Sequence, residues 1–215
     1  MAKTPHTPAK LIFRPARPDD ARQTARLIFE TFPKMATYLI GLGDARRAKK
    51  LLTEIFADAG HRFSYQFTEL VCQGGKVVGM FIAFPGRGLT QKDWRLPRVL
   101  LKHYTFSEKL KLILRSLPLI FIKEAAADEY LLSNLAVRKG QRSQGIGAQI
   151  LKLVEAQALQ ADYHKLALMV DIDNPDARRF YEEHGFKVKA LHLEADKRVK
   201  HLGPGYQRMV KELTT

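Results

Sequence analysis

Gly145 and Gly147, in the run Arg142-Ser143-Gln144-Gly145-Ile146-Gly147-Ala148, are the residues of this chain best suited to hold a phosphate. Glycine reaches positive φ without steric cost and lets a ligand lie directly on the backbone. An apolar run over residues 131–137 precedes them and reads as a strand, while Ile150, Leu151, Val154 and Ala158 follow at helical spacing. A helix beginning at such a loop aims its unpaired N–H groups and the positive end of its dipole at one point. Two common nucleotide loops do not fit these residues. The Walker loop ends in Gly-Lys-Ser/Thr, whereas Gly147 is followed by Ala148 and Gln149. The dinucleotide loop requires a third glycine where Ile150 stands.

A second chemical group lies about thirty residues on. In Asn174-Pro175-Asp176-Ala177-Arg178-Arg179-Phe180-Tyr181-Glu182-Glu183-His184-Gly185-Phe186, Asn174 suits a helix N-cap and Pro175 the first helical position. Gly185 suits a left-handed C-terminal residue, and Phe186 restarts a strand. The result is a short helix carrying two adjacent aromatic rings. Phe180 takes the core role, which leaves Tyr181 free to face a cleft, although the helical pattern alone reads it as a second core aromatic.

Loop and short helix, in this order and at this distance, resemble the two signatures of the GNAT N-acetyltransferase superfamily. One is Arg-x-x-Gly-x-Gly/Ala between a strand and a helix. The other is Asn-x-x-Ala-x-x-x-Tyr-x-x-x-Gly-Phe. The family's opening segment is matched by Arg14, Ala16 and either Asp19 or Asp20. The likeness covers most of the chain and is weakest over residues 85–124.

The resemblance implies an α/β fold: a mixed, mostly antiparallel sheet flanked by helices and splayed between its fourth and fifth strands. It implies acetyl-CoA as co-substrate, no metal, and acetyl transfer to a primary amine of a small molecule or peptide by direct attack in a ternary complex. Amides from Arg142 to Ala148 would hold the pyrophosphate. The backbone of Leu135, Ala136 and Val137 would pair with the pantetheine arm, and the Leu135 N–H would serve as an oxyanion donor. Tyr181 would be the general acid. Asn174 would cap its helix and touch the pantetheine; Arg178 and Arg179 would meet the 3′-phosphate. For the base the residues depart from the family pattern, since neither Leu131 nor Ser133 accepts a proton usefully. Strict alternation puts Glu129 on their face, with Glu69 and Asp171 as further candidates. An acceptor amine of low pKa needs no base.

The elements that must position these groups follow from pattern. A strand over residues 11–17 leads into a helix ending near Phe32, and Asp44 caps a second helix over Ala48, Leu51, Leu52, Ile55 and Phe56. Gly74-Gly75 joins two strands in a hairpin. Strands follow over residues 165–170, 187–193 and 206–210, the last closing the sheet as an exposed edge through which a homodimer could form. His184 reads as a surface residue near its helix end.

The 215 residues read as one domain, with a loose tail over residues 1–9. With no long apolar run, no export signal and Cys72 as sole cysteine, the expected place is the cytoplasm. Cys72, on a strand, reads as a packed thiol. The net charge of +14 is less ordinary. Residues 86–124 form a basic helical insertion, in which nine Lys and Arg face only Asp93 and Glu108 up to Lys123. Its apolar residues, among them Leu110, Ile113, Leu114 and Leu117, recur at helical spacing. Such a segment covers the acceptor side of the cleft, or meets an RNA, an anionic membrane surface or an acidic acceptor. Two rival functions follow: acylation of an amine carried on aminoacyl-tRNA, and non-catalytic binding of acyl-CoA.

Overall fold

The computed structural model describes residues 10–119, 122–193 and 202–214. The tail expected over residues 1–9 lies outside them, as do Ile120 and Phe121 of the basic segment. Among the described residues seven strands form one sheet: β1 (Leu11–Pro15), β2 (Thr68–Gln73), β3 (Lys76–Pro85), β4 (Tyr130–Val137), β5 (Lys165–Asp171), β6 (Lys187–Leu193) and β7 (Gly205–Glu212), in the order β1-β2-β3-β4-β5-β7-β6. All neighbours are antiparallel except β4 and β5.

Helices cover both faces. On one side pack α1 (Ala21–Thr31), the single turn α2 (Pro33–Met35) running into a π-helical turn at Ala36–Ile40, and α3 (Ala45–Phe56). The Asp44 carboxylate caps α3 by accepting from the Arg46 N–H at 2.7 Å. The segment over residues 86–124 contributes α4 (Leu89–Leu100) and α5 (Phe106–Ser116). On the opposite face lies α6 (Ile146–Gln160), and α7 (Pro175–Glu183) stands near its start.

This two-sided cover explains why β3 is an almost unbroken apolar run. Val77, Met80 and Ile82 join the core beneath α1 and α3, whereas Val78 and Phe81 join the core beneath α6. Cys72 is a buried free thiol in the first of these cores. The opening strand is tied to its helix by charge. Arg14 donates to both carboxylate oxygens of Asp20 at 2.8 and 2.7 Å, and the Arg17 N–H donates to Asp20 at 2.8 Å. Of the two aspartates the sequence left open, Asp20 is the buried, paired one.

Two sequence expectations are corrected here. The strand over residues 206–210 is not an edge: β7 lies between β5 and β6, so β6 carries the free edge and any dimer through Tyr206 loses its basis. Nor does strict alternation hold through β4. Ile82 stands opposite Asn134 and Ala83 opposite Leu132, which leaves Ser133 as the extra residue of a β-bulge. The bulge shifts the facing by one residue: Tyr130 and Leu132 share the α6 core with Leu135 and Val137, while Leu131 and Ala136 share the other.

Candidate active site

β4 and β5 pair at Tyr130 with Leu166 and Leu131 with Ala167, and at no later position. Beyond Leu132 the strands part, and the gap opens onto a cleft of about 1820 Å³. The Arg138 N–H donates to the Val78 carbonyl at 2.9 Å. Alternation along an antiparallel ladder therefore turns Ala136 toward β3, and turns the amides of Leu135 and Val137 toward the gap. The Val137 carbonyl accepts there from Arg142 Nε at 3.0 Å, which ties the loop to the strand end.

The loop behaves as its glycines require. Gly145 is the N-cap of α6 with φ 72°, and Ser143 also has positive φ, at 61°. A Cβ built on Gly145 would meet nothing within 4 Å, so the space over the amides is open. Gly147 has a different reason to be small: its Cβ would lie 3.0 Å from Cζ of Phe180. Arg142, Ser143, Gly145, Ile146, Gly147 and Ala148 line the cleft. Gln144 does not, and its side-chain amide turns back to the Gly140 carbonyl at 3.5 Å.

From the other wall α7 presents Asn174, Phe180, Tyr181 and His184 to the same cleft. Asn174 caps the helix by accepting from the Ala177 N–H at 3.2 Å. Tyr181 packs its ring edge against Phe180 and Phe186, with centroids 5.2 and 5.6 Å away. Burial pushes its phenol up to about 12, and its hydroxyl pairs with nothing among the described residues. His184 is half-buried rather than on the surface, its Nδ1 2.7 Å from the Phe180 carbonyl. Arg178 pairs with Glu182 at 2.8 Å on the exposed face and does not line the cleft, and neither does Arg179.

Of the candidate bases, Glu129 is committed elsewhere. It is buried, accepts from the Ala126 N–H at 2.6 Å and is ion-paired with Arg208, outside the cleft lining. It precedes β4, and its carboxylate is turned to the Ala126 N–H and Arg208 rather than to the cleft. Glu69 accepts from Gln157 and lies outside the lining as well. Asp171, at the end of β5, does line the cleft. Burial and the nearby Asp173 hold its carboxyl above the usual aspartate value. No donor pairs with its side chain among the described residues.

The far end of the cleft holds residues that sequence reasoning passed over. Phe32, Phe63, Leu96, Leu100 and Ile122 form an apolar wall. A polar chain crosses it: Arg62 forks onto Glu124 at 2.7 and 2.6 Å and donates to Ser133 at 3.0 Å. Ser133 donates to Asn134 at 2.8 Å, and Asn134 donates to Thr31 at 2.7 Å. Burial favours the neutral acid at Glu124, but the Arg62 charge and hydrogen bonds outweigh it and hold the carboxyl below its usual value. No local pattern marks this chain, because its members come from four separate segments. Among the described residues no group of three His, Cys, Asp or Glu could hold a metal ion.

The comparisons agree with this geometry. A solved acetyltransferase structure is 26% identical, with TM-score 0.70 over 94% of this chain and 100% of its own. An N-acetyltransferase from Staphylococcus aureus Mu50 has the same fold at 22% identity, TM-score 0.70, over 93% and 99% of the two chains. So does Ard1 from Thermoplasma volcanium, at 14% identity and TM-score 0.54, over 95% and 99%. No curated protein matches the chain. The family described as "Acetyltransferase (GNAT) family" matches residues 35–186. That stretch is most of the chain and contains the loop, the parted strands and Tyr181: the chain belongs to the GNAT acetyltransferase family.

Proposed function

We propose that the chain is an acetyl-CoA-dependent N-acetyltransferase that transfers the acetyl group to a primary amine by direct attack in a ternary complex. One observation carries the reading. The gap between β4 and β5 exposes the Leu135 and Val137 amides where the N-terminus of α6 and the Tyr181 phenol both open into one cleft. The open, left-handed position at Gly145 leaves room for a pyrophosphate on the loop amides.

Bound acetyl-CoA supplies the activated acyl group as a thioester. The chain's own residues do the rest. Leu135 N–H, facing the gap, stabilises negative charge on a carbonyl oxygen beside it. Tyr181 keeps its proton on Oη throughout the neutral range, because burial penalises the phenolate. Its proton is therefore in place when the thiolate departs, although burial makes the phenol a weaker acid than a free tyrosine. Asp171 takes up the proton that the attacking ammonium must shed; its raised pKa brings it closer to that task than an ordinary aspartate. The apolar far wall suits an amine carried on an apolar body.

The test is release of free thiol from acetyl-CoA across a panel of small amines, hydrophobic amines and peptides. Amine-dependent release that drops in Tyr181→Phe supports the reading. Tight acetyl-CoA binding with no acceptor-dependent release from any amine contradicts it.

A further inference from the structure

The outer face of α5 is apolar where a surface helix is ordinarily polar. Phe106 is 88% exposed, Leu110 54%, Ile113 52%, Leu114 51% and Leu117, at the C-cap, 42%. At about 100° per residue these five side chains fall within an arc of about 100° on the helix. Lys109 and Lys111 flank that arc, one on each side, and neither meets an acid among the described residues.

The face is built, not frayed. Thr105 and Glu108 form a capping box at the helix start. On the inner side Glu108 pairs with Arg47 at 2.5 Å, and Arg115 donates to the Tyr38 carbonyl at 2.6 Å. The helix is therefore anchored with its apolar stripe held outward. A contiguous exposed stripe of this kind marks an interaction surface.

We propose that this face docks the protein onto an anionic lipid bilayer. A stripe of Phe and Leu between lysines matches the acyl boundary below a layer of anionic headgroups. A nucleic acid would engage the lysines and leave the stripe in water. A second copy would cover the stripe but bring lysines against lysines, since the one acid of α5, Glu108, is already committed to Arg47. No helix among the described residues is long and apolar enough to cross a membrane, so the attachment is at the surface. Ile113 also lines the cleft, so docking sets the acceptor mouth at the interface. The proposal stands on the helix and not on the reaction, and its test measures no activity.

The test is co-sedimentation of the full chain with vesicles of phosphatidylcholine alone or mixed with phosphatidylglycerol, at physiological salt. The expected result is capture by the mixed vesicles only. Leu110→Asp, and Lys109→Glu with Lys111→Glu, each lower apparent affinity by about tenfold or more, with little change in thermal unfolding because Leu110 and Lys111 are exposed and Lys109 is half-exposed with no acidic partner among the described residues. Equal capture by both vesicle types, no capture, or full capture of the folded Leu110→Asp variant would overturn it. So would a dimer abolished by Leu110→Asp, or salt-sensitive binding to a short RNA, in the absence of vesicle binding.

Discussion

The ring of Phe180 sits directly over Gly147, its Cζ 3.0 Å from where a side chain there would begin. The loop that opens α6 and the helix α7 are thus in contact, and each sets the other's position. Substituting Gly147 with Val should push Phe180 outward and carry the adjoining Tyr181 with it. Overpacking of this kind costs about 1–3 kcal/mol. Chemical denaturation measures that loss; Phe180→Ala in the Gly147→Val background should recover part of it, because the clash is removed.

Tyr181→Phe should lower turnover by about tenfold to a hundredfold with little change in the affinity for acetyl-CoA. The pH dependence has a definite sign. Burial raises the phenol to about 12 from an ordinary value of 10.0. The acid form therefore persists through pH 10, and a rate profile should show no decline assignable to Tyr181 below that point. Steady-state rates from pH 6 to 10 check this.

Asp171 works as a base only when ionised, and its carboxyl lies above the usual aspartate value. The rate should therefore fall on the acidic side at a pH above that of a free aspartate. Asp171→Asn should remove that limb and lower the rate at neutral pH by about a hundredfold. An unchanged acidic limb in the variant would assign it to another group.

Arg62 and Glu124 form a forked pair whose side chains are 12% and 26% exposed. Arg62→Met leaves a desolvated carboxylate without its partner and should destabilise the fold by about 3 kcal/mol. The double variant Arg62→Met with Glu124→Met should be more stable than the single one. Because the folded-state carboxyl lies below its ordinary value, its contribution is present above the unfolded pKa. It is lost as pH falls through the folded one. Denaturant midpoints between pH 7 and 3 measure this, and the pH dependence should shrink in the double variant.

The site was legible in sequence where local punctuation and two short motifs fix it. Gly145 and Gly147 open α6, and Asn174, Pro175 and Gly185 bracket α7, each as residue chemistry demands. What escaped is what depends on pairing between distant segments. The bulge at Ser133 is a matter of register with β3, invisible in a period-two pattern, and the Arg208 partner that draws Glu129 away from the cleft comes from a distant strand. The strand order that buries β7 depends on which neighbour β6 chooses, and no residue of β7 announces it. Arg62 meets Glu124 across 62 positions, beyond the reach of any local spacing. The exposure of the α5 stripe belongs to the same class, since its apolar spacing alone reads as an ordinary core face.

Calorimetric titration decides whether the α6 loop and the parted strands hold acetyl-CoA. The unmodified chain and Gly145→Val are each titrated with acetyl-CoA, with ATP and NAD as controls. Gly145 is left-handed with open space above it, so valine there costs about 1–2 kcal/mol of backbone strain and fills the pyrophosphate position. Thermal unfolding separates the strain from the loss of binding. Selective micromolar binding of acetyl-CoA is expected of the unmodified chain, and none of the folded variant. Normal binding by Gly145→Val, or no binding by the unmodified chain, would contradict that binding site.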